Sequence, residues 1–203
     1  NGQKLILLWF GSWKNSMSCY APAWVKRGFN RDFELAANSD GSIPEIMSAF
    51  SERNVRADAK AFASLMKYIR KADGSEGTVI MVQVENEIGM LGDARDHSKL
   101  AQNAYNSPVP YDMMYMLTSG KANDHINDVW KTAGKATTGS WKDVFGSSLE
   151  ADEIFMAYWY ARYTERVAAA GKAEYDIPMF VNTALNSRGR KAGEYPSAGP
   201  LAH

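Results

Sequence analysis

The stretch VIMVQVENEIG, residues 79–89, decides how the chain folds. Val79 to Val82 are apolar without a break, and Gln83-Val84-Glu85-Asn86-Glu87 follows, with Gly89 just beyond. A continuous apolar run of this length reads as a strand covered on both faces, the usual state of a parallel strand in an α/β protein. Two carboxylates and an amide cannot sit deep in such a strand without partners. At its carboxyl end, however, they reach the mouth of the fold, where ligands bind.

Two further runs resemble it. LILLWF, residues 5–10, and PMFVNTAL, residues 178–185, are also runs rather than alternations. Between the first two strands, Val55, Ala59, Phe62, Met66 and Ile69 step by four and three, one face of a helix ending near Gly74. A second long helix is predicted over about 149–171. Its start is marked by Ser147-Ser148-Leu149-Glu150, which reads as a capping box, and its end by Gly171. Its inward face is read as Ile154, Tyr158, Ala161 and Ala168. PYDMMYMLTSG and NDHINDVWKTAG read as shorter helices, with the Met and Tyr stripe of the first assigned to packing.

The order is therefore strand, helix, strand, helices, strand, with parallel neighbours expected. The strands begin near 5, 78 and 178, whereas a plain barrel unit takes roughly 30 residues. The excess follows each strand, at 11–50 and 88–148, on the edge where ligands bind. Such loops predict a deep, walled site.

Bulk composition narrows the function. At 203 residues the chain can bury one real core. Its 23 basic and 23 acidic side chains cancel, which argues against nucleic acid or an anionic membrane as the main partner. No apolar run approaches the ~20 residues that span a bilayer. Asn1-Gly2-Gln3-Lys4 has no signal-peptide pattern. Cys19 is the single cysteine, so no internal disulfide forms, and its setting contains no base to activate it. Phosphate-binding glycine loops and a Gly-x-Ser-x-Gly elbow are absent.

Within the strand-end group, a partly desolvated carboxyl suits a general acid near neutral pH, and Asn86 suits a sugar hydroxyl. The same residues also fit a surface turn with two solvated acids, the second capping the next helix. The wording favours the first. VQVENEIG resembles the acid/base motif of glycoside hydrolase family 35, the β-galactosidases, usually Gln-Val-Glu-Asn-Glu-Tyr-Gly. Ile88 stands where that family commonly has Tyr. LILLWFGSWKN followed by APAWV is similar to the third strand and loop of families 35 and 42, through Pro22-Ala23-Trp24. PMFVNTAL is similar to the fifth strand. GMLGDARDHS and GEYPSAGPL also look like a bacterial subgroup related to family 35, and the resemblance spans nearly all of residues 3–203.

The resemblance implies an α/β fold that is part of a (β/α)8 TIM barrel. Residues 1–203 would be a partial catalytic domain holding strands three to five. It implies a retaining glycosidase acting on a β-galactoside or related oligosaccharide, with no cofactor and no metal. Glu87 would be the general acid/base, and Asn86, Trp13, Asn15 and Asn182 would contact the sugar, Trp13 as an aromatic platform. Asn182 reads equally well as a loop brace. Ser12 stands where family 35 has a galactose-contacting Glu. The nucleophile of a retaining enzyme lies ~5–5.5 Å from the acid/base. In the family it ends the seventh strand, outside this chain. Glu85 cannot replace it, being two residues away on the same strand, and reads as structural, with an arginine partner. Asp93, Arg95, Asp96 and His97 read as a salt-bridged loop wall. Trp9 reads as core, and NSRGRKAG as a solvated loop.

A three-strand piece exposes two apolar sheet edges. We therefore expect a fragment of a longer enzyme, or an assembly, homo-oligomers included, that covers them. The resemblance is compatible with a periplasmic or secreted parent. The alternative is a non-catalytic barrel fragment or carbohydrate-binding remnant.

Overall fold

The computed structural model describes residues 2–202; Asn1 and His203 lie outside the described residues. Three strands form one parallel sheet in the order β1 (Leu5–Lys14), β2 (Val79–Asn86), β3 (Met179–Phe180). The parallel arrangement follows the sequence reading. The third strand is shorter than expected: only Met179 and Phe180 pair, and the chain leaves the sheet at Val181. The first is longer, because Gly11 to Lys14 continue past an irregularity in the register between Trp9 and Lys14.

Two long helices cover one face of the sheet. Helix α2 (Glu52–Asp73) buries Val55, Phe62, Met66 and Ile69, with Ala59 half-buried, as the spacing predicts. Ser51 caps it by accepting from the Asn54 amide at 3.4 Å. Helix α7 (Leu149–Glu174) packs along α2. Ser148 is its cap, accepting from the Ala151 amide at 3.2 Å. The capping box forms elsewhere, where Ser140 and Asp143 bond reciprocally at the start of α6 (Trp141–Phe145). Four short helices, α3 (Lys99–Tyr105), α4 (Tyr111–Thr118), α5 (Asp124–Thr132) and α6, fill the insertion between β2 and α7. One-turn helices α1 (Ala23–Lys26) and α8 (Gly199–Ala202) complete the set. None of the described helices is long and apolar enough to cross a membrane.

The buried face of α7 differs from the sequence reading. Tyr158, Ala161 and Ala168 are only partly buried, and Ile154, Tyr160, Tyr163, Val167 and Gly171 lie deeper. Gly171 does not end the helix. It sits inside α7, where a Cβ would overlap the Phe62 ring and crowd Met66. A glycine inside a helix costs about 1 kcal/mol relative to alanine; here it lets α7 approach α2 closely.

The opposite face of the sheet is open. The register pairs Ile6 with Met81 and Leu8 with Gln83, away from the helix-facing Leu7, Trp9, Val82 and Val84. Ile6 and Leu8 are 52% and 54% exposed. Both sheet edges lack a further strand among the described residues.

Because Phe62 fills the space above Gly171, Gly171→Ala is expected to lower unfolding free energy by about 1–3 kcal/mol despite its better helix propensity. Urea denaturation checks this. A stability gain would show that the α2–α7 contact is looser than described.

Candidate functional site

The site is built where the three strands end. Glu85, the last but one residue of β2, is buried, and its carboxyl turns toward β1. Its Oε1 accepts from the Ser12 amide at 3.1 Å and its Oε2 from the Trp13 amide at 2.8 Å. The expected arginine partner is therefore replaced by two backbone amides and a second acid. Asp58, on the buried face of α2, lies against it and accepts from Trp9 Nε1 at 2.8 Å and Ser12 Oγ at 2.7 Å. The Ser12 and Tyr163 hydroxyls are 2.6 Å apart. A Cβ on Gly11 would overlap Asp58 Oδ1, so only glycine lets the strand pass this close.

Burial pushes the Glu85 carboxyl well above its ordinary range, and the charge and hydrogen bond of Asp58 push it the same way; the two amides oppose the shift. Tyr163 is also held protonated, first by burial, then by the charges of Asp58 and Glu85. The group is a largely buried polar network beneath the rim.

The rim follows immediately. Glu85 and Glu87 both take positive φ, 60° and 47°, as do Asn15 and Ser16 on the facing loop. Such left-handed non-glycine residues cost roughly 1–3 kcal/mol each and persist only where the surroundings over-determine them. Here the surroundings do. The Asn15 amide donates to Asn86 O at 3.1 Å, and the Ser16 amide and hydroxyl both donate to Glu87 O, at 2.9 and 3.0 Å. Asn182, just past β3, accepts from Asn86 Nδ2 and from the Glu87 amide, both at 3.2 Å. Of its two sequence readings, Asn182 serves as the brace.

Four of the expected residues thus converge: Asn15, Asn86, Glu87 and Asn182. Glu87 is partly buried as a residue, and its carboxylate has no hydrogen bond or ion pair among the described residues. Asn15 is exposed, its side chain accepting from Lys14 Nζ at 2.8 Å. Trp13 does not stand at the mouth. It is 1% exposed, with Tyr163 and Tyr160 edge-on to it at 4.4 and 5.3 Å and its Nε1 donating to Met47 O. Glu85 pulls the Trp13 backbone inward, so its ring cannot offer a face to a sugar. Trp9 packs on Phe62, consistent with a core role.

Among the described residues, the cavities do not form the deep, walled site at Glu87 that the loop lengths predict. A cavity of about 400 Å³ lies among α4, α5 and α7, and one of about 270 Å³ lies beside Trp9, Trp24 and Asp58. Glu87 lines neither and stands on an open rim. The Asp93–His97 segment is tied into the loops: Arg95 pairs with Asp152 at 3.0 Å, and Asp96 accepts from Ser48 Oγ and from the Ala37 and Ser98 amides.

Sequence reasoning missed Asp58 and Glu153, although both left a signal. Asp58 is three residues past Val55 and four before Phe62, on the apolar stripe. Glu153 precedes Ala157, Tyr160, Thr164, Val167 and Gly171 at helical spacing. An acid on a buried stripe marks a carboxylate with an internal partner. NSRGRKAG is likewise not wholly solvated, because Arg190 pairs with buried Glu153 at 2.6 Å.

No family model matches the chain, and no curated protein matches it by sequence. Among solved structures it is similar to a catalytic mutant of Gan42B, a GH42 beta-galactosidase from G. stearothermophilus. The identity is 15% and the TM-score 0.51 over 89% of this chain. The chain spans 26% of that protein's length. At this distance the likeness concerns the fold: a mixed α/β unit with a small parallel sheet, similar to part of a glycoside hydrolase.

Since burial favours the protonated form of Glu85 in the fold, this group's contribution to stability is greatest below the ordinary carboxyl value of 4.5. It is expected to fall as pH rises above that, by up to about 1.4 kcal/mol per unit, until the folded group ionises. Urea unfolding between pH 4.5 and 7.5 checks this against Glu85→Gln, which should remove the slope. Equal slopes in both proteins would contradict the assignment.

Proposed function

We propose that this chain carries the acid/base part of a retaining β-glycosidase of the family 35 and 42 kind, within a partial (β/α)8 barrel. Glu87 protonates the glycosidic oxygen as the aglycone leaves. It then takes a proton from the water that releases the sugar from the enzyme nucleophile. Asn86 and Asn15 bound the sugar, and Asn182 holds Asn86 and the Glu87 amide in place. The nucleophile lies on a segment outside this chain, across the ring from Glu87.

The observation that carries the reading is the contrast at the rim. The Asn86 carbonyl and the Glu87 amide and carbonyl are each held by a partner, while the Glu87 carboxylate has no hydrogen bond or ion pair among the described residues. A general acid needs this combination of fixed position and free oxygens. The family wording of VQVENEIG and the fold likeness to a GH42 beta-galactosidase support the same reading. Glu85 supports it by exclusion: both its oxygens are engaged with β1, which leaves Glu87 as the reactive acid of the pair. The substrate class is a β-galactoside or related oligosaccharide.

Glu87→Gln in the full-length protein is expected to cut turnover of substrates with poor leaving groups by about 10²–10⁴-fold. Dinitrophenyl glycosides, whose leaving group needs no proton, should lose far less. Steady-state kinetics on matched alkyl and dinitrophenyl galactosides make the comparison, and equal losses on both would rule out the acid role. The isolated chain is expected to show no turnover of an aryl galactoside above a Glu87→Ala control. Turnover that Glu87→Ala abolishes would contradict the placing of the nucleophile outside the chain.

A further inference from the structure

Asp58 belongs to the polar network beneath the rim, and it also lines the cavity of about 270 Å³ between β1, the segment that follows it and α2. Trp9 on β1 forms one wall. Tyr20 and Trp24, on the segment after β1, form another. Those two rings are 58% and 55% exposed, yet each rests on a second ring. Phe10 meets Tyr20 edge-on at 5.4 Å, and Phe33 meets Trp24 edge-on at 5.4 Å. Large aromatic side chains left half in solvent and braced in this way surround an apolar space with an acid in its wall.

Asp58 is the one charged side chain that lines this cavity among the described residues; no lysine, arginine or histidine does. Its recorded partners are all neutral: Trp9 Nε1 at 2.8 Å, Ser12 Oγ at 2.7 Å and the Tyr163 hydroxyl at 3.5 Å. Those donors are spent on it. Asn54 lines the same cavity, and its donors are spent too, because Nδ2 donates to Glu34 O at 2.9 Å and Ser48 O at 3.0 Å. Asn54 Oδ1 is buried with no donor among the described residues. The buried part of the wall therefore offers acceptors and a negative charge, with no N–H or O–H left to give.

That inventory selects the chemistry of an occupant. A carboxylate repels anions. A sugar presents hydroxyls that need donors as well as acceptors, and the buried wall has only acceptors. A cation with N–H groups and an apolar body satisfies all of it. The N–H groups meet the carboxylate, and aromatic walls attract the charge and cover the body. We propose that this cavity binds a small primary amine, its ammonium on Asp58 and its apolar body among Trp9, Tyr20 and Trp24. Glu87 does not line the cavity, so the proposal goes beyond the glycosidase reading and does not rest on it.

The test uses the full-length protein at pH 7 and calorimetric titration with benzylamine, against benzyl alcohol as its neutral counterpart. Benzylamine is expected to bind about tenfold more tightly than the alcohol. Trp24→Ala is expected to weaken benzylamine binding by about fivefold, and Trp24→Phe, which restores a ring, to recover most of that loss. Asp58→Asn should bring benzylamine down to the affinity of benzyl alcohol. Asp58 is tied into the core, so Trp24→Ala, at an exposed ring, decides if that variant does not fold. Glu87→Gln should bind benzylamine as the wild type does. Absence of benzylamine binding, equal binding of the alcohol, or wild-type affinity in Trp24→Ala would overturn the proposal. Loss of binding in Glu87→Gln would place the amine at the rim and overturn it as well. So would isopropyl β-thiogalactoside binding more tightly than benzylamine and weakening in Trp24→Ala, which would make the cavity a sugar site.

Discussion

The grip of one buried carboxyl on two backbone amides sets the geometry of the rim. Glu85 takes the Ser12 and Trp13 amides of β1, at 3.1 and 2.8 Å, at the point where regular pairing between β1 and β2 breaks down. Without that acceptor, both amides would be buried and unpaired, at about 1–3 kcal/mol apiece. Glu85 reaches them from within β2 with a positive φ of 60°. The turn it makes places Asn86 and Glu87 at the mouth. Asp58, Trp9, Ser12 and Tyr163 continue the network beneath, where burial and the charge of Asp58 both favour the protonated form of Glu85.

Three acids near this end of the sheet consequently have three different fates. Glu85 is buried and holds β1. Glu153 is buried and holds the segment after β3. Glu87, between the two, keeps a free carboxylate while its backbone is held by Ser16 and Asn182. On the proposed glycosidase reading, a held backbone with one unengaged carboxylate favours proton transfer, because little reorganisation remains to be done. The loop that carries Asn15 and the segment after β3 are joined to the rim through backbone, so their positions depend on the same two buried acids.

Much of this was legible in the residues. Apolar runs without alternation marked three parallel strands, and the 4-3-4-3 stripe of α2 marked its buried face. VQVENEIG marked the strand end where Glu85, Asn86 and Glu87 gather. What failed did so for physical reasons. PMFVNTAL reads as eight residues of strand, but only Met179 and Phe180 find a pairing partner. Gly171 reads as a helix end because propensity is local, whereas its role is to admit a ring from α2, 109 positions earlier in sequence. Trp13 reads as exposed because it follows a strand. The hydrogen bond that draws it inward comes from Glu85. Asp58 and Glu153 were visible as acids on apolar stripes, but the groups they hold lie far away in sequence.

The protonation state of Glu85 tests the central claim most directly. Infrared difference spectroscopy of the folded protein against Glu85→Gln, as pH is raised from 4.5, should reveal the carbonyl stretch of one buried carboxylic acid that persists above the ordinary carboxyl value and is lost in the variant. If that band is missing from the wild type, or disappears in Asp58→Asn while persisting in Glu85→Gln, then Glu85 does not hold the proton and this account of the rim is wrong.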